Sequence, residues 1–119
     1  MPNRTQISFA QTVDIWPVVE RWAGANGYSA RESAGPDKLY QKGIGLLVAP
    51  MMLSIREVDR QVMMEAWVRC NLFNRLASFF ILPAEIGIQS GGLKAVVPRK
   101  IARDAVNILL QQLGQPLIP

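Results

Sequence analysis

The sequence predicts an α+β domain in which two helices cover one face of an antiparallel sheet, in the order β-α-β-β-β-β-α. The first observation behind this prediction is the stretch Met51 to Cys70, where residues alternate with a period of two on either side of a charged turn. Such alternation is typical of a β-hairpin. The second observation is a pair of amphipathic stretches, one near each end of the chain, which can cover an apolar sheet face. The length of 119 residues predicts a single domain, 1–119.

The central hairpin has one apolar face and one mixed face, because successive side chains of a strand point to opposite sides. The apolar face carries Met51, Leu53, Ile55, Val62, Met64, Ala66 and Val68. The opposite face mixes Met and Trp with charge and carries Met52, Ser54, Arg56, Met63, Glu65, Trp67 and Arg69.

The N-terminal part of the chain predicts a strand followed by a helix. Arg4 to Ala10 alternates apolar and polar residues, which suits a half-buried strand. From Gln11 to Gly27, apolar residues recur at helical spacing, and Asn26-Gly27 is a typical C-terminal stop. Asp14 is the predicted N-cap, because Pro17 then falls in the first turn, where its missing amide removes no hydrogen bond.

The middle of the chain predicts further antiparallel strands. Tyr28 to Ser33 and Lys38 to Lys42 flank Ala34-Gly35-Pro36-Asp37, and this turn-rich tetrapeptide predicts a second hairpin. Asn71 to Leu82 predicts an irregular or short helical connection, since a short apolar run cannot be assigned from periodicity alone. Pro83 to Ser90 is compatible with an edge strand, because a proline is tolerated where a strand begins.

A second amphipathic helix is predicted to open at Pro98 and to close at Gly114. Both helices are expected to pack on the same face of the sheet. The apolar stripe of the second helix consists of Ala102, Ala105, Val106, Leu109 and Leu113.

The composition lacks the residues on which most common catalytic mechanisms depend. The chain has no histidine and a single cysteine, Cys70, so it lacks the commonest general base, the commonest metal ligand and any internal disulfide. Its acidic residues are scattered, and its glycines match no phosphate-binding pattern. The sequence therefore predicts a protein that is not an enzyme and that uses no metal or cofactor.

No apolar run approaches the ~20 residues that a membrane span needs, and the N-terminus lacks the hydrophobic segment of a secretory signal. These patterns predict a cytoplasmic protein without a transmembrane segment.

Two runs of sequence carry a family resemblance. LYQKGIGLLVAP, from Leu39 to Pro50, and the long run from Leu82 to Pro116 resemble a family of small uncharacterised bacterial proteins, well represented in cyanobacteria. The resemblance implies no reaction or ligand. The element order is similar to that of TATA-binding-protein-like and helix-grip folds. The chain lacks the internal duplication and the paired Phe wedges with which the TATA-binding protein kinks DNA.

Two surfaces are candidate partner-binding sites. The first is the mixed face of the central hairpin, since Trp, Met and Arg are enriched where proteins meet partners. The second is the apolar run that contains Leu76, Phe79, Phe80, Ile81 and Leu82. If this run lies at the surface, it is too contiguous for the open surface of a monomer. The alternatives are a solvated sheet, on which Arg and Met stems cover the Trp, and an ordinary core position for the apolar run. The predicted partner-binding residues are Met52, Arg56, Met63, Trp67, Arg69, Phe79 and Phe80.

Four cations are a candidate anion-binding site: Lys94, Arg99, Lys100 and Arg103 lie just before or within the first turns of the C-terminal helix. A helix N-terminus already carries partial positive charge, so cations there favour a bound phosphate or carboxylate. The alternative is that the long side chains extend into water and are screened. Specific nucleic-acid binding is not expected, because no aromatic residues interleave with the cations.

The sequence thus favours a non-enzymatic protein-interaction module that acts through an open sheet face, as a homodimer or with another protein partner. The alternative is a binder of an apolar or amphipathic small molecule between sheet and helix, with Met side chains as an adaptable lining.

Overall fold

The computed structural model describes residues 4–11, 13–32, 35, 37–43, 50–69, 85–88 and 96–119. These residues form an α+β domain and confirm the predicted class and element order, with one further short strand within Pro83–Ser90, the stretch compatible with an edge strand. The strands are β1 (Thr5–Ala10), β2 (Ser29–Arg31), β3 (Lys38–Lys42), β4 (Met51–Val58), β5 (Gln61–Arg69) and β6 (Glu85–Gly87), and the helices are α1 (Trp16–Asn26) and α2 (Val96–Gln112).

The strands form one antiparallel sheet in the order β1-β5-β4-β3-β2. One edge of β5 pairs with β4, and its other edge is shared by β1 and β6. Ala66 lies opposite Thr5 of β1, and the next residue of β5, Trp67, lies opposite Gly87 of β6. The backbone amide of Ile88 donates to Thr5 Oγ1 at 2.8 Å and so ties the two short partners together. β5 is therefore the strand around which the sheet is built.

The turn between β4 and β5 consists of Asp59 and Arg60, with φ of 52° and 64°. Two positive φ angles are typical of a type I′ turn, whose twist matches that of the strands it joins. The amide of Gln11 donates to the Arg60 carbonyl at 2.8 Å and holds the turn against the end of β1. The charged interruption in the sequence pattern is thus a two-residue hairpin turn, which fixes the register of the whole hairpin.

Both helices begin slightly away from the predicted positions. Ile15, not Asp14, occupies the N-cap position of α1, and the Asp14 carboxylate accepts a hydrogen bond from the Trp16 amide at 3.2 Å. α2 begins at Val96, so that Pro98 is its third residue, where the amide still has no helical partner. Gly27 ends α1 with φ of 79°, as the stop signal predicted.

The core lies between the two helices and the apolar face of the sheet. Helix α1 contacts α2, and α2 contacts β4 and β5, so both helices cover the same face as predicted. The apolar residues of the central hairpin are 0–3% exposed. They pack with residues of both helices, among them Ile15, Val19, Trp22, Ala102, Val106 and Leu109.

Trp22 joins the two helices and stacks on an aromatic neighbour. Its indole N–H donates to the carbonyl of Ala105 at 2.6 Å, and its ring lies 4.6 Å from that of Tyr28. The Tyr28 hydroxyl is buried and, among the described residues, has no hydrogen-bond partner. Burial raises the pKa of Tyr28 well above its ordinary value of 10.0, because the ionised form would lose its hydration.

Replacing Tyr28 by Phe is expected to raise the free energy of unfolding at pH 7 by about 1 kcal/mol, because an unpaired buried hydroxyl is removed while the ring stacking remains. The raised pKa means that the folded state favours the protonated hydroxyl. The free energy of unfolding of the native chain is therefore unaffected by Tyr28 ionisation below pH 10 and declines as the pH rises further. The variant should therefore lose stability less steeply above pH 10. Burial and Glu20 also raise the pKa of Tyr40, so part of the slope remains. Urea unfolding between pH 7 and 11 measures both effects, and a clear loss of stability at pH 7 would contradict the prediction.

Candidate functional site

The outer face is the side of the sheet that points away from the helices. Strand register aligns its side chains in rows across β1, β5 and β4. The first row consists of Ser8, Met63 and Arg56, the second of Gln6, Glu65 and Ser54, and the third of Trp67 and Met52.

The third row is buried. Trp67 and Met52 are each 5% exposed, although both belong to the face opposite the helices. The guanidinium carbon of Arg4 lies 3.6 Å from the centre of the Trp67 ring, which is a close cation–π contact. The two side chains therefore offer little surface to a partner, and the contact agrees with the alternative in which a cationic side chain covers the Trp.

Arg4 is a residue of this face that the sequence pattern did not single out. Arg4, Gln6 and Ser8 are spaced two residues apart. Extending the period-two alternation of β1 by one step therefore places Arg4 on the outer face. Its Nη1 also donates to Glu65 Oε2 at 3.0 Å. Arg4 thus links the buried third row to the open second row.

The first two rows are accessible, and Met63 is their apolar centre. Met63 is 40% exposed and separates two clefts. The cleft towards β1 has a volume of about 430 Å³, and its lining includes Gln6, Ser8 and Glu65. The cleft towards β4 has a volume of about 160 Å³, and its lining includes Ser54, Arg56 and, again, Glu65.

Two ion pairs flank Met63. Glu65 pairs with Arg4, and Arg56 Nε donates to Asp37 Oδ1, which raises the pKa of the Arg56 guanidinium through the hydrogen bond and the charge of the carboxylate. Each ion pair uses only part of the hydrogen-bonding capacity of Arg56 and Glu65. Among the described residues, the terminal amino groups of Arg56 and Oε1 of Glu65 form no further hydrogen bond or ion pair. Their side chains are 43% and 38% exposed.

Arg69 is two residues beyond Trp67 on β5, so it belongs to the same face of the sheet but lies beyond the buried third row. Its side chain is exposed, and its backbone amide donates to the carbonyl of Pro50 at 2.8 Å. Arg69 is therefore separated from the clefts around Met63. The predicted partner-binding residues Phe79 and Phe80 lie outside the described residues.

The candidate anion-binding cations of α2 have protein partners. Arg99 is only 7% exposed, and its Nε donates to the carbonyl of Gly87 at 3.0 Å. Arg103 Nη1 donates to the carbonyl of Ile88 at 3.2 Å, and Lys100 pairs with Asp104 at 2.7 Å on the helix surface. The two arginines attach α2 to the end of β6. Lys94 lies outside the described residues, and anion binding by the four cations stays a prediction.

Within the described ranges, no three His, Cys, Asp or Glu residues lie close enough together to hold a metal ion. Of the helices in the described part of the chain, none is long and apolar enough to cross a membrane. No known family model, curated protein or solved structure matches the chain. The resemblance to a bacterial family and to TATA-binding-protein-like folds therefore stays a prediction.

Proposed function

We propose that the chain is a non-enzymatic protein-interaction module that acts through the open part of its outer face and forms a homodimer. The observation that carries the proposal is the arrangement around Met63, an exposed apolar side chain between two clefts and two ion pairs. Both helices lie on the other face of the sheet, so the described elements leave these two rows uncovered.

The chemistry of this surface supports a protein partner. A flexible Met side chain adapts to irregular surfaces, and Arg is enriched at interface cores. The four charged residues around Met63 are two of each sign, so the surface has no net charge that would repel a second copy. The absence of histidine from the sequence agrees with a role in binding rather than in acid–base catalysis.

The alternative function, an apolar ligand between sheet and helix, has less support. On that side of the central hairpin, Leu53, Ile55 and Met64 are 0–1% exposed and pack directly in the core cluster. The clefts beside Met63 lie on the opposite side of the sheet. The outer face is therefore the better-supported site.

Replacing Met63 by Asp tests the proposal. The variant should shift the chain towards monomer and weaken self-association at least about tenfold, because a carboxylate would be desolvated at the centre of the contact. Sedimentation velocity over a range of protein concentrations measures the change. Met63 is a better target than Trp67, since a charge in place of a side chain that is 5% exposed would unfold the sheet.

Ile108→Asp is the matched control, because Ile108 is 43% exposed but lies on α2. It should leave self-association unchanged. Equal effects of the two substitutions would show that general hydrophobicity, not the outer face, drives association. A dimer that is lost only in the Ile108 variant would place the interface on the helices and contradict the proposal.

A further inference from the structure

We propose that the outer face recognises a second copy of itself through a reciprocal ion pair, in which Arg56 of each copy contacts the partner's Glu65 beside a central pair of Met63 side chains. This inference rests on the proposed function and adds the contacts that determine the choice of partner.

The first step is the unused bonding capacity of the two residues. An arginine side chain has five N–H donors, and the bond from Nε to Asp37 uses one of them. Glu65 accepts a hydrogen bond from Arg4 through Oε2. Within the part of the chain that the structure describes, this leaves the Arg56 amino groups and Glu65 Oε1 available. A donor fork and a carboxylate oxygen form one of the stronger protein hydrogen bonds.

The second step is that the two residues share a cleft. Arg56 and Glu65 both line the hollow on the β4 side of Met63. They lie diagonally on neighbouring strands, because Arg56 is opposite Met63 and Glu65 is opposite Ser54. Each copy thus presents one cation and one anion side by side, next to an apolar projection.

The third step is symmetry. In a two-fold dimer, a contact from one residue to a second residue of the partner is repeated in the reverse direction. A surface that carries both members of the pair can therefore form it twice. If the surface carried only one of the two charges, that charge would face the same charge of the partner copy near the two-fold axis.

The shape of the surface supports the same arrangement. Met63 projects between clefts of about 430 and 160 Å³, and a water molecule occupies only about 30 Å³ in the liquid. Either cleft can therefore receive a side chain of the partner. Partner Met side chains that enter these clefts would exclude water from the ion pairs and strengthen them.

Charge exchange tests the inference in the full-length chain. Arg56→Glu should weaken self-association at least about tenfold, because the introduced carboxylate would face the partner's Glu65 at both symmetry-related contacts. Glu65→Arg should do the same, since it would bring two arginines together at each contact. Mixing the two single variants should restore a heterodimer, because the introduced glutamate meets the introduced arginine at one contact and the native Glu65 meets the native Arg56 at the other. The double variant Arg56→Glu, Glu65→Arg should form a homodimer with near-native affinity, since each of its contacts again joins an acid to a base.

The rescue separates contacts between copies from damage within one copy. Each substitution breaks an ion pair inside its own chain, Arg56 with Asp37 or Glu65 with Arg4, and the double variant breaks both. Harm to folding from these lost pairs would add up in the double variant, although exchanging both charges restores the attraction between positions 56 and 65 within one copy. In the mixture each copy keeps two like charges at these positions, so recovery there indicates a contact between copies. Circular dichroism melts establish that the variants are folded, and analytical ultracentrifugation at low and high salt measures association.

A native dimer that keeps its affinity in both single variants, or whose losses simply add in the double variant, would overturn this inference and leave the proposed function intact. If Met63→Asp also leaves the dimer unchanged, the outer face is not the contact and the proposed function fails as well.

Discussion

Replacing Trp22 by Ala is expected to lower the free energy of unfolding by about 3–5 kcal/mol, a large share of the stability of a small domain. Trp22 is 1% exposed, stacks on Tyr28 and donates to the carbonyl of Ala105. Its loss leaves a cavity where α1, α2 and the sheet meet. Urea unfolding followed by circular dichroism measures the effect without relying on tryptophan fluorescence.

Trp16→Ala is the matched control on the same helix. Trp16 is only partly buried, and its ring contacts the Lys38 ammonium at 4.2 Å near the surface. This substitution should cost about 1 kcal/mol. Equal losses for the two tryptophans would contradict the account in which Trp22 is the side chain that joins the two helices.

Replacing Arg99 by Ala is expected to lower the free energy of unfolding by about 2–3 kcal/mol, because the hydrogen bond from a buried cation to the carbonyl of Gly87 is lost. Arg99→Lys should recover less than half of this loss, since an ammonium cannot reproduce the geometry of the guanidinium. Urea unfolding of the three proteins measures both effects.

Lys100→Ala is the control in the same helical turn. Lys100 and Asp104 form an ion pair whose side chains are 64% and 57% exposed, so its removal should change stability by about 0.5 kcal/mol or less. If Arg99→Ala costs as little as this control but abolishes the binding of inorganic phosphate, then Arg99 is an anion ligand and not a structural link to β6.

The fold is largely predictable from local patterns. The alternation of the central hairpin places its apolar set, from Met51 to Val68, on the buried face, because the period of a strand leaves only two choices. Gly27 ends α1 where a left-handed residue is required. The short strand β6 is less visible, since three residues carry too little periodicity to determine their partner. Its place beside β1 depends on long-range pairing with β5.

The candidate site is only partly predictable, because the face on which a side chain lies does not determine how exposed it is. Alternation puts Trp67 and Met63 on the same face, yet Trp67 is buried against Arg4, which lies 63 positions earlier in the sequence, and Met63 is open. The cations of α2 show the same limit. The partners of Arg99 and Arg103 are carbonyl groups 12 and 15 residues away. A helical pattern reports the charge of these residues and gives no information about such partners.

The mass of the native chain in solution tests the central claim most directly. Sedimentation velocity at low salt, over a hundredfold range of concentration, should show a species of about twice the chain mass of 13.2 kDa that dissociates on dilution. Added salt should shift the equilibrium towards monomer, because charged side chains flank the proposed contact. A mass of 13.2 kDa at every concentration would contradict the homodimer.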